Sequence, residues 1–389
     1  MRYLHDATHN AGGNRINRAT MLVLWLCVSV HVAVEIVFHS TSPYITPSMA
    51  RQLDALNVLP SDTSKKSNKT ATATATVTTQ EADNAPTPTM RKPSVHLVTI
   101  ADQFFATRYK PYFIKMEEYC NLHKYTWKLL ATEDYGVNVC PQRHAMFRGM
   151  CMVADYMLNH TQPGDVVVFF DADYVVYRPW RSLTDWVDTM MEDNIDLVLY
   201  DRGFLDEIAS GSYFVRHRSY MADFLREWAN YETHQPKGFS SADNGSMHLV
   251  LLHYLGAEAR PADVSNLTMA IETSPPGSCA EKYYNLTAMV NNLQPYQGFL
   301  QCTRQYLAIG KHRSSAHSIA VPEPFGLWIV SPDGDPWCVD WGAELKDKNV
   351  QDGAIFHHGV KIQSRYRNRL KPEFIEKYNL TGMVEPLEE

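Results

Sequence analysis

Residues 166–173 have the sequence VVVFFDAD, and this run decides the fold. Its five apolar residues are β-branched or aromatic, which predicts a strand buried on both faces, as in a parallel sheet. The carboxylates of Asp171 and Asp173 follow directly, at the end of the strand where open α/β sheets bind ligands. Two carboxylates at this spacing can both reach one Mg²⁺ or Mn²⁺ ion, which usually bridges to a diphosphate. The run therefore predicts both a central strand and a metal–diphosphate site.

The segments around this run alternate between strand and helix patterns. Further strands are predicted at residues 95–100, 125–130, 195–200 and 211–216. Helices are predicted at residues 109–122, 143–158 and 219–231, and another begins at Asp243. The β-α-β-α-β order at the start of this series predicts a parallel sheet with right-handed crossovers. The expected fold class is therefore α/β and Rossmann-like, with a central, mostly parallel sheet flanked by helices.

The net charge and the glycine pattern argue against two classes of nucleotide-binding protein. The chain has a net charge of −7, which disfavours nucleic acid as a partner, because phosphate backbones bind basic surfaces. No GxGxxG sequence follows the first predicted strand, and the P-loop sequence GxxxxGK(S/T) occurs nowhere. A dinucleotide-binding loop or a P-loop is therefore not expected, and we assign phosphate binding to a metal instead.

The N-terminal part of the chain has the pattern of a membrane anchor followed by a stem. Residues 19–34 contain no formally charged side chain, and the apolar run continues beyond them. Its length predicts a transmembrane segment at residues 19–38, and the arginines before it predict a cytosolic tail at residues 1–18. Residues 39–93 are rich in Ser, Thr and Pro, which predicts a disordered stem before a lumenal domain at residues 94–389. A cleaved signal peptide and a buried core helix are the alternatives to the anchor.

Cysteines and glycosylation sequons fit a lumenal domain. Six cysteines lie outside the apolar segment and none has a spacing suited to zinc, so disulfides are expected, with all connectivities open. The sequons that fit this compartment are at Asn68, Asn159, Asn266, Asn285 and Asn379. A further sequon at Asn244 lies inside a candidate site, where we expect no glycan.

Several segments carry a resemblance to a known group of enzymes: residues 169–176, 178–179, 199–202, 207–216, 228–232, 241–246 and 357–361. Across residues 95–365 the chain resembles glycosyltransferases of the GT-A fold, in particular a nematode-expanded family of nucleotide-diphospho-sugar transferases of unknown function. More distantly it resembles the Golgi α-galactosyl- and α-xylosyltransferases, which are retaining enzymes. The resemblance implies a GT-A fold, a nucleotide-sugar donor, a Mn²⁺ or Mg²⁺ cofactor and a glycan or glycoprotein acceptor. Together with the anchor, it implies a single-pass type II protein of the Golgi or ER membrane.

The resemblance also implies roles for individual residues. Asp171, Asp173 and His358 are expected to hold the metal against the diphosphate, with His357 as the alternative to His358. The imidazole nitrogen favours Mn²⁺ over Mg²⁺. Lys361 is expected to neutralise the diphosphate, with a surface turn as the alternative for this segment. The remaining candidates for binding the nucleotide sugar are Thr99, Asp102, Asp201, Arg202 and Asn244.

Two carboxylates are the candidate catalytic residues. Glu207 is expected to contact the donor sugar or the acceptor, or to act as base or nucleophile, with a solvated loop carboxylate as the alternative. Asp243 and Asn244 are expected to lie near the donor sugar, with helix capping by Asp243 as the alternative. For Asp201 and Arg202, an internal ion pair is the alternative to a contact with sugar or phosphate.

Together with the resemblance, these residues imply a metal-dependent hexosyl- or pentosyltransferase of the secretory pathway, with retention of anomeric configuration left open. One alternative is a haloacid-dehalogenase-like phosphatase, because residues 171–175 also fit its DxDx(V/T) motif with Asp171 as nucleophile. In that class the motif lies on the first strand, whereas two predicted strands precede residues 171–175 in this chain. The other alternative is an inactive glycan-binding protein that keeps the same fold.

Overall fold

The computed structural model describes most of the chain after residue 90. The described residues are 91–203, 206–236, 242–258, 274–286, 293–314, 324–332, 334–340, 353–362, 369–370 and 372–386. The predicted cytosolic tail, the membrane segment, nearly all of the stem and the sequons at Asn68 and Asn266 lie outside these residues. Within the described ranges, no helix is both long and apolar enough to cross a membrane.

Strands and helices alternate along the described chain. The strands are β1 Val95–Ala101, β2 Thr126–Ala131, β3 Val166–Phe170, β4 Val175–Val176, β5 Leu197–Asp201, β6 Ile208–Arg216, β7 Gly310–Arg313, β8 Gly326–Val330, β9 Cys338–Asp340, β10 Phe356–His358, β11 Arg369–Leu370 and β12 Glu385–Pro386. The α-helices are α1 Gln103–Arg108, α2 Lys110–His123, α3 Ala145–His160, α4 Thr184–Glu192, α5 Ser219–Asn230, α6 Ala242–Leu255, α7 Cys279–Tyr284, α8 Gln294–Arg304 and α9 Pro372–Lys377. Every strand and helix predicted from the sequence is present, with its ends shifted by three residues or fewer.

The central sheet has seven strands in the order β2-β1-β3-β6-β5-β8-β7. β2, β1 and β3 are mutually parallel, and β5 is parallel to β8. β6 lies antiparallel between β3 and β5, and β7 is antiparallel to β8. The predicted fold class, α/β with a mostly parallel sheet flanked by helices, is confirmed. β6 is antiparallel because residues 202–207, which join it to β5, are fewer than the dozen or so that a parallel crossover needs.

β3 is buried on both faces, as its apolar sequence predicts. Val167 and Phe169 belong to a core that contains α3, α5 and α6. Val168 and Phe170 belong to a second core, on the other face, that contains α2 and α4. Successive side chains of a strand point to opposite faces, so this one strand contributes to both cores. A register slip would reverse both faces, so burial fixes the point at which Asp171 leaves the sheet.

A small second sheet lies next to the end of β3. Its strand order is β4-β10-β9, with β10 antiparallel to β4 and parallel to β9. β4 begins shortly after Asp173, and in β10 the residue His357 pairs with Val175. This pairing brings the C-terminal part of the chain back to residues 171–173.

Four of the cysteines form disulfides, Cys140–Cys151 and Cys279–Cys302. Cys120 and Cys338 are buried free thiols, and burial raises the pKa of both. The expectation of disulfides is therefore confirmed, and two of the possible pairings are identified.

Asp165 fastens the start of β1 to the start of β3. Its Oδ1 accepts hydrogen bonds from the Ser94 backbone N–H at 2.8 Å and from the Arg91 guanidinium at 2.5 Å. Its Oδ2 accepts from the Gln162 backbone N–H at 2.8 Å. Burial alone raises the pKa of Asp165, but these donors outweigh it and hold the pKa below its usual range.

Asp165→Asn is expected to lower the free energy of unfolding at neutral pH by about 1.5–3 kcal/mol, as for hydrogen bonds to a charged group. The folded-state pKa lies below the unfolded value of about 3.9, so the stabilisation is complete above that value. It is lost as the pH falls through the folded-state pKa. Urea unfolding at pH 7 and at the lowest pH that preserves the fold measures the change. A difference between wild type and variant that is equal at both pH values would contradict the role of the charge.

Candidate active site

Predicted polar residues converge at the carboxyl edge of the central sheet. Asp102 follows β1, Asp171 follows β3, and Asp201 ends β5, and these three strands run in the same direction. The antiparallel β6 begins at this edge, and the first turn of α6 carries Asp243 to it. The edge is the expected ligand-binding position of an open α/β sheet.

Asp171, Asp173 and His358 form a cluster that we call the metal cluster. Each offers one ligand atom, and these atoms all lie within 4.8 Å of one another. His358 Nε2 lies 3.3 Å from an Asp173 carboxylate oxygen and 3.6 Å from one of Asp171. The structure therefore brings together three residues that the sequence placed in one metal site.

The two neighbouring histidines of β10 have different surroundings. His357 is buried, its Nδ1 lies 2.8 Å from the Tyr378 hydroxyl, and its ring packs on Tyr177 at 4.4 Å between centroids. His358 points to the opposite face of the small sheet, because side chains alternate along a strand. The ring of Tyr174 stacks on His358 at 4.4 Å and 7°. The geometry therefore favours His358 over His357 as the third ligand.

Lys361 extends the cluster toward solvent. Its ammonium group forms an ion pair with Asp173, and 66% of its side-chain surface is exposed. Burial lowers the pKa of Lys361, but the Asp173 carboxylate outweighs it and raises the pKa. A charged, largely exposed ammonium beside two carboxylates is suited to contact a phosphate that approaches from solvent.

The charges of the cluster shift one another's pKa values. Burial lowers the pKa of His358, but the carboxylates of Asp173 and Asp340 outweigh it and raise the pKa to about 10. Burial raises the pKa of Asp173, but His358 and Lys361 hold it below its usual range. Burial raises the pKa of Asp171 against the opposing charge of His358, although 45% of the Asp171 side chain is exposed. Asp173 is therefore the carboxylate that these surroundings keep charged.

Asp340, at the end of β9, is a site residue that the sequence analysis misses. Its Oδ1 lies 2.5 Å from His358 Nδ1 and accepts a hydrogen bond from the Tyr200 hydroxyl at 3.0 Å. Its other oxygen pairs with Arg202. A carboxylate that accepts the Nδ1 proton directs Nε2 toward the other side of the ring, as in many metal-binding histidines. The only sequence signal was an apolar run that ends in a carboxylate, as at Asp171.

Gly211 of β6 lies against the metal cluster with no room for a side chain. A Cβ atom at this position would lie 2.7 Å from Asp171 Oδ2 and 3.2 Å from His358 Cε1. The backbone of Gly211 is also fixed, because its carbonyl accepts a hydrogen bond from the Asp171 N–H at 2.9 Å. The absence of a side chain at residue 211 therefore sets the position of the Asp171 carboxylate.

Asp243 and Asn244 hold the first turn of α6 on β6. The Ser210 hydroxyl donates to the Asp243 carboxylate at 2.6 Å, and the Ser210 backbone N–H donates to Asn244 Oδ1 at 2.7 Å. The charge of Asp243 contributes to the raised pKa of Asp171. The Asp243 carboxylate is therefore bound to a neighbouring strand and lies close enough to the metal cluster to act on it.

Glu207 and Arg202 form a buried network that ends on the metal cluster. Arg202 donates to the Glu207 carboxylate at 2.6 Å and also pairs with Asp340. The Tyr296 hydroxyl donates to the other oxygen of Glu207. Glu207 is only 3% exposed, so it is not a solvated loop carboxylate. Burial lowers the pKa of Arg202, but Asp340 and Glu207 outweigh it and raise the pKa.

The other three predicted residues, Asp201, Asp102 and Thr99, have, among the described residues, no hydrogen bond or ion pair with the metal cluster. Asp201 pairs with Arg304 and accepts a hydrogen bond from the Gly203 N–H at 2.6 Å. Asp102 caps α1 by accepting from the Phe105 N–H at 2.7 Å. Thr99 is buried within β1. The internal ion pairs considered for Asp201 and Arg202 are therefore formed, and no described contact joins Asp102 to the metal cluster.

Comparison with known proteins gives one family match and distant structural likenesses. The model of a family described as a protein of unknown function, DUF273, matches residues 116–308, which include Asp171, Asp173 and Asp243 but not His358. No curated protein matches the chain.

Three solved structures are distantly similar to this chain. A glycosyltransferase involved in glycosylation of the major capsid of PBCV-1 is 12% identical, with 69% of this chain and 95% of that chain covered and a TM-score of 0.36. The galactosyltransferase LgtC, in complex with donor and acceptor sugar analogs, is 11% identical, with coverages of 76% and 98% and a TM-score of 0.32. The glycosyltransferase GlyE of Streptococcus pneumoniae TIGR4 is 12% identical, with coverages of 41% and 43% and a TM-score of 0.29. These values describe a distant likeness.

Proposed function

We propose that this protein is a metal-dependent glycosyltransferase that moves a sugar from a nucleotide-diphosphate donor to a glycan or glycoprotein acceptor. The observation that carries the proposal is the metal cluster itself. Two carboxylates and one imidazole converge at the carboxyl edge of the sheet, with the exposed ammonium of Lys361 next to them. The two carboxylates and the imidazole can ligate a cation, and the neighbouring ammonium can bind a phosphate.

The residues of the metal cluster fit Mn²⁺. Two carboxylate oxygens and an imidazole nitrogen suit this ion, and the nitrogen favours it over Mg²⁺. Gly211 leaves the Asp171 carboxylate room to take part, and Asp340 directs His358 Nε2 toward the carboxylates. When bound, the cation would offset the negative charge that develops on the departing nucleoside diphosphate.

The chain's own groups then divide into binding and supporting roles. Lys361 neutralises the diphosphate from the solvent side. Asp243, held by Ser210 beside the metal cluster, is the carboxylate we assign to the donor sugar and to catalysis. Glu207 has both oxygens engaged by Arg202 and Tyr296, so we assign it a positioning role through Arg202 and Asp340.

The proposal includes a secretory-pathway location, with an anchor at residues 19–38 and a lumenal domain in the Golgi or ER. Two disulfides support it, because they persist in oxidising compartments. The asparagines of three predicted sequons, Asn159, Asn285 and Asn379, are exposed, as glycosylation requires.

Incubating the full-length protein with a panel of sugar nucleotides, with Mn²⁺ or with EDTA, tests the proposal. We expect release of a nucleoside diphosphate from at least one donor, and only with the metal. Release of inorganic phosphate from a phosphomonoester instead would identify the phosphatase with Asp171 as nucleophile. If the protein shows no turnover and no donor-dependent thermal shift, the inactive glycan-binding protein is the remaining alternative.

Asp340→Asn is expected to weaken Mn²⁺ binding by about 10- to 100-fold, the usual cost of losing a partner that orients a histidine ligand. The amide removes the charge that holds the His358 Nδ1 proton while keeping the size of the side chain. Electron paramagnetic resonance of free Mn²⁺ during a titration measures the affinity. Asp335→Asn is the control, because Asp335 is largely exposed and pairs with Arg181. Equal affinity in the two variants would contradict the role of Asp340.

A further inference from the structure

A groove of about 630 Å³ lies between α2, residues 176–180 and residues 377–379. Its volume falls within the usual range of ligand pockets, about 300–1,000 Å³. Aromatic and charged side chains dominate its lining: Tyr119, Tyr177, Trp180 and Tyr378, with Lys115, Glu118, Arg178 and Lys377. We call it the aromatic groove.

The aromatic groove and the metal cluster lie on opposite faces of the small sheet. Tyr177 and Tyr378 line the groove, and both contact His357. His358, the next residue of β10, points the other way, toward Asp171 and Asp173. A ligand in the groove would therefore occupy a site separate from the metal cluster but joined to it through β10.

Trp180 and Arg178 give the groove a flat apolar surface beside a fork of N–H donors. The Trp180 side chain is 70% exposed, which is unusual for so large an apolar group. The Arg178 guanidinium carbon lies 5.9 Å from the ring centroids of both Tyr177 and Trp180. Among the described residues, no carboxylate pairs with Arg178. Its planar donors are therefore available to bind a carboxylate through two parallel hydrogen bonds.

The charge of the groove favours an anionic ligand. Its lining contains three cations and one carboxylate, Glu118, which already pairs with Lys115 at 2.9 Å. The whole chain has a net charge of −7, so the excess of positive charge is a local feature of the groove. Complementary potentials of this kind steer a charged partner and select it over a neutral one.

We propose that the aromatic groove binds a uronate-containing glycan. A pyranose ring has an apolar C–H face that fits the exposed indole of Trp180, and its carboxylate fits Arg178. The choice of a sugar as the occupant rests on the proposed glycosyltransferase function. The groove would hold the acceptor at a second point, away from the transferred sugar, and so raise its effective concentration at the metal cluster.

Direct binding to the full-length protein, with EDTA and no donor present, tests the proposal without any turnover. The probes are a hyaluronan hexasaccharide, which alternates glucuronate and N-acetylglucosamine, and the neutral N-acetylglucosamine hexamer. Calorimetry should show at least tenfold tighter binding of the hyaluronan fragment. Trp180→Ala and Arg178→Ala should each weaken that binding at least tenfold. Arg226→Ala, an exposed arginine on α5, is the matched control and should leave it unchanged.

The proposal is overturned if hyaluronan does not bind, if the two hexasaccharides bind equally, or if binding survives both groove substitutions. If a polyglutamate peptide binds as tightly, and if Arg178→Ala and Trp180→Ala also weaken its binding, the proposal is likewise overturned and the groove is a site for acidic peptides.

Donor hydrolysis is measured separately. A chain that hydrolyses no donor but binds the hexasaccharide through Trp180 and Arg178 would lose the proposed transferase function and keep the groove assignment.

Discussion

Asp173→Asn is expected to reduce sugar transfer by about 100- to 1,000-fold, because a metal contributes several kcal/mol and each 1.36 kcal/mol is a factor of ten. Asp173 contacts both His358 and Lys361, and its pKa lies below the usual range, so it supplies a charge at every working pH. Asparagine keeps the size of the side chain and removes that charge. The loss should appear in kcat at saturating donor, and in a higher Mn²⁺ requirement.

Asp193→Asn is the matched control for this substitution. Asp193 pairs with Lys311 on the surface, and such exposed pairs contribute little. Activity of the control should stay within about twofold of the wild type, as is usual for surface changes. If Asp173→Asn kept a comparable kcat and Mn²⁺ requirement, the metal assignment would be wrong even if the protein were a transferase.

Local pattern in the sequence predicts the central strand and two of the three residues of the metal cluster, Asp171 and Asp173, whereas His358 is predicted from the family resemblance. The apolar run before Asp171 predicts a strand buried on two faces. A pair of carboxylates directly after such a run indicates the edge of the sheet where ligands bind. The strand order beyond β3 was not predictable in the same way, since the antiparallel β6 lies between β3 and β5. Only the short connection between β5 and β6 indicated its direction.

The residues that the sequence missed act through long-range contacts. Asp340 lies beside His358 because β9 pairs with β10, and its side chain also pairs with Arg202; no local sequence pattern predicts either contact. Gly211 lies in a segment that carries the family resemblance, but the sequence alone gives no physical reason for a glycine there. That reason is the distance from its backbone to Asp171, which depends on the pairing of β3 with β6. Such residues become visible only when the partner strands are known.

Gly211→Ala is expected to reduce metal-dependent transfer by about 100-fold, because a displacement of about 1 Å at a reacting centre can cost that much. The new methyl group would lie 2.7 Å from Asp171 Oδ2, a distance at which one of the two must move. The hydrogen bond between Asp171 N–H and Gly211 O holds the two backbones together, so the partly exposed Asp171 side chain is the part that moves. Mn²⁺ affinity and kcat should fall together.

Two other glycines separate this local effect from a general loss of fold. A Cβ at Gly298, within α8, meets nothing within 4 Å, so Gly298→Ala should keep full activity and add roughly 0.5–1 kcal/mol of stability. A Cβ at Gly326 would lie 2.6 Å from the Asn194 backbone oxygen, so Gly326→Ala should lower the melting temperature. Gly211→Ala should resemble neither, with near-normal thermal unfolding in EDTA and weakened Mn²⁺ binding. If it instead lowered the melting temperature as much as Gly326→Ala, the backbone of β6 would have moved, and the lost activity would no longer report on Asp171.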